Sequence, residues 1–175
     1  MRDSKILGIA IRARWLGFGA IDAQGRLLEC GMIFYQRRNT YRLQSAKRRL
    51  ESMILRLNPS GVALLRAELR ANDEVASVRS LVRALRGAVS LGSIPMVSLH
   101  RDEIRRVIGE GKSKSKDDIA AALVGLFPEL AWKLPRKRQI WSKEDFRMAI
   151  FDAIAAAVAC HRSEVADPSA ANTSP

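Results

Sequence analysis

The sequence predicts a single α/β domain built on a mixed β-sheet with helices on both faces. Three observations carry this: the segment up to Phe34 reads as consecutive strands, the next hundred or so residues alternate helical stripes with short apolar runs, and a long alanine-rich helix closes the pattern. The 175 residues are 47% hydrophobic and 27% charged, which suits one compact domain over residues 1–162 with an ordinary core.

The elements follow in order. Ile6 to Ile21 is β-prone, apolar and glycine-punctuated, and Asp22-Ala-Gln-Gly25 supplies turn chemistry before Leu27–Phe34. From Thr40 the period becomes helical through Leu43, Ala46, Leu50, Met53, Ile54 and Leu57, and Asn58-Pro59-Ser60-Gly61 stops it. Val62–Leu65 is a short buried strand ending near Arg66 to Glu68. Val75, Val78, Val82, Leu85 and Val89 form a second helical stripe, and Ser93–Leu99 reads as a strand despite its proline. A short basic helix spans Arg101 to Ile108, a cationic loop runs from Gly109 to Lys116, and Ser115 with Asp118 marks a capping box for a helix to about Leu126. Ser142 with Asp145 is a similar signal, opening a helix to about His161. Residues 163–175 are expected to be a disordered tail, because the small polar residues from Asp167 onward bury too little surface to offset their ordering entropy.

Charge points to the partner. Thirty Lys and Arg against eighteen Asp and Glu give a formal net charge of +12, which attracts polyanions, nucleic acid first. No apolar run is long enough to span a bilayer and no signal peptide is evident, so a cytoplasmic protein is expected. Cys30 and Cys160 fit no metal-ligand spacing and read as reduced, partly buried thiols. Walker, dinucleotide and zinc motifs are missing from the sequence.

Specific motifs then narrow the reading. Ile6-Leu-Gly-Ile-Ala-Ile-Arg-Ala-Arg-Trp-Leu-Gly-Phe-Gly-Ala-Ile21 resembles the first hairpin of RuvC-type Holliday-junction resolvases, I-L-G-I-D-P-G-S-R-x-x-G-Y-G-x-I. Arg86-Gly87 resembles the family's A-R-G, and the order of elements from Val97 to Leu126 is also similar. Phe151-Asp-Ala-Ile-Ala-Ala-Ala-Val-Ala-Cys-His161 resembles the closing D-A-L-A-x-A-x-C-H helix. The segment Phe127 to Trp141 departs from the resolvase pattern.

The resemblance implies an RNase H-like fold, recognition of branched DNA by a two-fold homodimer, and phosphodiester hydrolysis by two Mg²⁺ or Mn²⁺ ions roughly 4 Å apart. Leu, Val and Ala stripes of the middle helices are the expected dimer contacts. Hard cations need carboxylates, and here the pattern fails. Ala10 stands at the position of the first-strand Asp. For the next acid, counting from Arg86-Gly87 gives Glu68 and counting from Pro59 gives Leu65 or Arg66. On the last helix Asp152 matches, whereas its partner position is Ala149. Asp152 reads as a metal-site relic or a buried ion pair with an arginine. Asp145 and Glu144 are helix-start acids or compensating ligands, Asp22 belongs to its turn, and His100 and His161 read as structural.

The expected function is therefore binding of branched or structured DNA, with metal-dependent cleavage weak or lost. The alternatives are an active nuclease using Glu68, Asp152 and other acids, and a basic adaptor for RNA or an acidic protein. Arg79, Arg83 and Arg86 share a helix face and suit a phosphate strand. Lys112, Lys114 and Lys116 in the cationic loop, and Arg136, Lys137 and Arg138 between Trp132 and Trp141, are further nucleic-acid candidates. Arg12 and Arg14 border the cleft implied by the resemblance, where their charge could replace that of the metal on phosphate.

Overall fold

A computed structural model describes residues 4–36, 39–66, 72–109, 115–136 and 145–166. Five strands, β1 (Lys5–Ile11), β2 (Trp15–Asp22), β3 (Leu27–Phe34), β4 (Gly61–Leu65) and β5 (Met96–Leu99), form one sheet in the order β3-β2-β1-β4-β5. The first three are antiparallel neighbours, and β4 and β5 run parallel to β1. Helices α1 (Thr40–Leu57) and α2 (Asn72–Leu91) cover one face. On the other lie α3 (Arg101–Ile108), α4 (Lys116–Leu126), a 3₁₀ turn at Pro128–Lys133, and α5 (Met148–Ala166).

Local chemistry sets the boundaries. The Asp22 carboxylate accepts from the backbone N–H of Gln24 and Arg26, at 3.0 and 2.8 Å, and from the Arg26 guanidinium at 2.7 Å. Burial pushes this carboxyl up, but the hydrogen bonds from Arg26 outweigh it and hold it below its usual range. Asn39 caps α1 by accepting from the Arg42 N–H, and Asn58 ends it in the left-handed region at φ 45°. Ser115 and Asp118 form the expected capping box of α4.

Three expectations change. β5 begins only at Met96, because Pro95 cannot donate to the sheet; its carbonyl accepts from Val62 instead. α5 begins at Met148, after a turn in which the Asp145, Phe146 and Arg147 carbonyls accept from residues three further on. It also runs past His161 to Ala166, so residues 163–166 belong to a helix; the first helix breaker after His161 in the sequence is Pro168. The stripes expected to supply dimer contacts are spent inside the chain: Leu50, Met53, Ile54, Leu57, Val78, Leu81, Leu85 and Val89 all lie in the core between the sheet and α1 and α2. Among the described residues no helix is long and apolar enough to cross a membrane.

The defining contact is between α5 and the sheet. A Cβ on Gly8 would overlap the Ala153 carbonyl, and one on Gly17 would overlap the carbonyl of Ala149. The glycines let backbone meet backbone, and Ala149, Ala153, Ala156 and Ala157 keep the helix side of the contact thin. Gly8→Ala or Gly17→Ala is expected to lower stability by about 1–3 kcal/mol or more through overpacking. Gly87→Ala, where a Cβ meets nothing within 4 Å, should be neutral or stabilise α2 by up to about 1 kcal/mol. Urea unfolding midpoints of the three variants test this, and equal behaviour would contradict the close seat of α5.

Candidate functional site

The parallel strands β1, β4 and β5 end at one edge of the molecule, where β2 begins and β3 ends. Ligand sites in α/β sheets form outside such carboxyl ends. Register fixes what lies there: Ala10 is flanked by Gly17 on β2 and Leu65 on β4, and Leu65 pairs with Leu99 on β5. Ala10, Leu65 and Leu99 are buried in the core beneath α5. Leu65 is thus the residue beside Ala10. Glu68, like Glu144, lies outside the described residues.

Above this apolar row stands Asp152, buried in the second turn of α5. Two guanidiniums hold it. Arg12 Nη2, from the end of β1, donates to Oδ2, and Arg101 Nη1, from the first residue of α3, donates to Oδ1 at 3.0 Å. The three side chains are 18%, 13% and 8% exposed for Arg12, Arg101 and Asp152 respectively. This is the buried ion-pair reading of Asp152, with two arginines on one carboxylate.

The hairpin carrying Arg12 is tied down. Arg12 N–H donates to the Trp15 carbonyl at 2.8 Å, Tyr35 N–H donates to the Arg14 carbonyl at 2.9 Å, and the buried Tyr35 hydroxyl donates to the Arg12 carbonyl. Arg12 therefore points inward to Asp152, whereas Arg14 is exposed. Asp145 does not join Asp152: its carboxylate accepts from the Arg147 N–H at 2.8 Å and from the Arg147 guanidinium at 2.7 Å. That side-chain hydrogen bond holds the Asp145 carboxyl below its usual range, so the pair stabilises above the ordinary carboxylate pKa and is lost as pH falls through the lowered value.

A divalent ion needs several convergent oxygens. Among the described residues no group of three His, Cys, Asp or Glu could hold a metal. With Asp152 engaged by two arginines over Ala10 and Leu65, the described residues do not fit the pair of ions that the resemblance implies.

On the opposite face of the same sheet end, Arg66, Arg79, Arg83 and Arg86 line a groove of about 550 Å³ floored by Ile11, Leu64, Val78 and Val82. All four arginines are exposed, and no ion pair to Arg79, Arg83 or Arg86 is found among the described residues. Arg66 Nη1 lies 2.9 Å from His100 Nε2, and His161 Nε2 lies 3.0 Å from the Ala23 carbonyl, a structural role. Lys116 opens α4, and Arg136 is exposed beyond the 3₁₀ turn. Lys112, Lys114, Lys137, Arg138 and Trp141 lie outside the described residues. Trp132 is exposed, with Lys133 Nζ 5.0 Å from its ring centre.

Sequence reasoning did not single out Arg101 as a partner of Asp152, or Arg66 as part of the groove. Arg101 did leave a signal: a cation in the first turn of a helix opposes the helix dipole and calls for a carboxylate elsewhere. Arg66 left none beyond its place at a strand end.

No protein-family model and no curated protein matches the sequence. Among solved structures, the chain is similar to Thermus thermophilus RuvC in complex with a Holliday junction substrate, with TM-score 0.72 and 17% identity over 93% of this chain and 96% of that one. A second Thermus thermophilus RuvC structure gives 0.69 and 16% over the same shares. The yeast mitochondrial Holliday junction resolvase Ydc2 gives 0.61 and 14%, over 93% of this chain and 80% of that one. The fold is thus of the RNase H-like, RuvC type.

Removing Asp152 tests the clamp. Asp152→Ala strands two partly buried guanidiniums and is expected to cost about 3 kcal/mol, read from the urea midpoint. Adding Arg12→Met and Arg101→Met should recover most of that stability. An unchanged or raised midpoint in Asp152→Ala would mean that the carboxylate is repelled by its surroundings, as in an acidic metal site, and would sink the ion-pair assignment.

Proposed function

We propose that this RuvC-type fold binds branched or otherwise structured DNA and has lost efficient metal-dependent cleavage. One observation carries the reading: at the sheet end where hydrolysis would need carboxylates, the chain presents Ala10 beside Leu65, with its buried acid Asp152 engaged by Arg12 and Arg101. Where the resemblance implies acids that repel phosphate unless metal ions offset them, two guanidiniums stand beside the acid and can attract phosphate.

Binding is supported by the +12 net charge and by the groove of Arg66, Arg79, Arg83 and Arg86. The groove and the Asp152 clamp occupy opposite faces at one end of the sheet, so a single branched molecule crossing that end would meet both. The Thermus thermophilus structure with a junction substrate supplies the substrate class by likeness of fold.

A gel assay reads both parts of the proposal, using a four-way junction and a linear duplex of the same sequence, with Mg²⁺ or Mn²⁺. The expected outcome is preferential retardation of the junction with no nicking, by the protein as it stands and by Ala10→Asp alike, because Leu65 and the two arginines remain. Divalent-dependent cutting by the unaltered protein would establish the active-nuclease alternative. Equal affinity for junction, duplex and RNA would favour the basic adaptor. For the groove, replacing Arg79, Arg83 and Arg86 together by Ala should weaken binding and flatten the plot of log affinity against log salt by roughly 0.9 for each phosphate no longer neutralised. An unchanged slope would place the DNA elsewhere.

A further inference from the structure

Ten aromatic side chains are present in the chain, and three of them meet at one place on its surface. Trp15 opens β2 and faces Phe34 at the end of β3 in the antiparallel register. Phe146, just before α5, packs its ring against both: 6.5 Å from Trp15 at an interplanar angle of 73°, and 5.9 Å from Phe34 at 62°. Phe34 remains 55% exposed and Phe146 45%. By contrast Tyr35, Phe127 and Phe151 are buried. Half-exposed rings forgo much of the free energy that aromatic burial provides, and a contiguous apolar patch of this kind marks a contact surface.

Its position and rigidity say what it contacts. Trp15 follows the hairpin that carries Arg12 and Arg14, and Phe146 lies six residues before Asp152, so the cluster borders the arginine clamp. Each backbone is fixed: the Trp15 carbonyl by Arg12 N–H, the residue after Phe34 by two bonds to the hairpin, and the residues flanking Phe146 by the Asp145–Arg147 ion pair. An edge-to-face contact covers one face of one ring only and leaves the other ring faces of the pair free of each other. Basic residues border it, with exposed Arg14 on one side and Arg12 and Arg101 of the clamp on the other, in a chain of net charge +12. Charge complementarity selects a polyanion, and flat apolar faces select one carrying flat rings.

We infer that Trp15, Phe34 and Phe146 form a stacking platform for unpaired bases of the bound nucleic acid. The platform rests on the DNA-binding reading and adds what the arginines cannot supply, a preference for strands whose bases are unstacked. Phosphates are held by guanidiniums at the clamp and groove, and a base displaced at a branch or single-stranded end lies on the rings.

The test uses the full chain with Trp132→Phe and Trp141→Phe, so that Trp15 alone reports. Titrant one is a single-stranded oligo-dT; titrant two is heparin, a polyanion without bases. Quenching of Trp15 by oligo-dT and its absence with heparin, at concentrations where a gel shows both bound, is the expected result. Phe34→Ala, and separately Phe146→Ala, should lower affinity for oligo-dT roughly 5- to 150-fold, the range for one stacked base. Affinity for a fully paired duplex should stay unchanged, and thermal melts confirm that each variant folds. Binding of oligo-dT without a Trp15 response, or equal weakening for duplex and single strand, overturns the platform while leaving DNA binding intact. Failure to bind any nucleic acid overturns both. Quenching by heparin equal to that by oligo-dT overturns base stacking in favour of simple charge contact.

Discussion

Everything at the functional end of the molecule hangs on the seat of α5 on β1 and β2. Helices normally stand off a sheet by the thickness of their side chains, but at Gly8 and Gly17 no side chain intervenes and the helix backbone drops onto the strands. This close approach requires small residues on both partners, which explains the alanines at 149, 153, 156 and 157. It also fixes Asp152 above the end of β1, within reach of Arg12 on the same hairpin and Arg101 on α3. The position of the site follows from packing that has nothing to do with chemistry.

Among the described residues, what occupies the site differs from what a two-metal hydrolase needs. Carboxylates placed together repel one another and remain together only with cations between them. In this chain the cations are covalently part of the protein. Arg12 and Arg101 satisfy Asp152 directly, and Ala10, Leu65 and Leu99 close the floor with apolar packing. Such an arrangement pairs the buried acid without a ligand.

In the proposed reading, phosphate affinity and base contact are divided between different parts of one molecular end. The groove of Arg66, Arg79, Arg83 and Arg86 lies against α2, the clamp lies under α5, and the Trp15, Phe34 and Phe146 cluster lies beside the clamp where β2 and β3 meet the start of α5. Guanidiniums give affinity that salt weakens, whereas stacking is insensitive to charge and discriminates between paired and unpaired strands. Together they suit a substrate that is both polyanionic and irregular.

Much of this is legible in the chain itself. Apolar runs, helical stripes and capping signals locate every strand and α-helix, because these patterns are written locally; the turn at Asp22 and the caps at Ser115 and Asn58 are equally local. The motif from Ile6 to Ile21 carries the resemblance that implies an acid at the position of Ala10. Boundaries at α5 and β5 shift because tertiary contacts and proline override weak end signals. The pairing itself is beyond sequence reasoning: Arg12 and Arg101 are 140 and 51 residues from Asp152 among thirty Lys and Arg, and neither the place of Arg12 beside the implied cleft nor that of Arg101 in a helix first turn names its acid. The parallel register alone places Leu65 beside Ala10, and folding alone brings Trp15, Phe34 and Phe146 into contact. Architecture and charge can be read from the residues in order, since both depend on composition and short-range pattern. Which acid meets which base, and which rings share a surface, is settled only when the chain folds, because pairing across strands and helices depends on distances that no local pattern encodes.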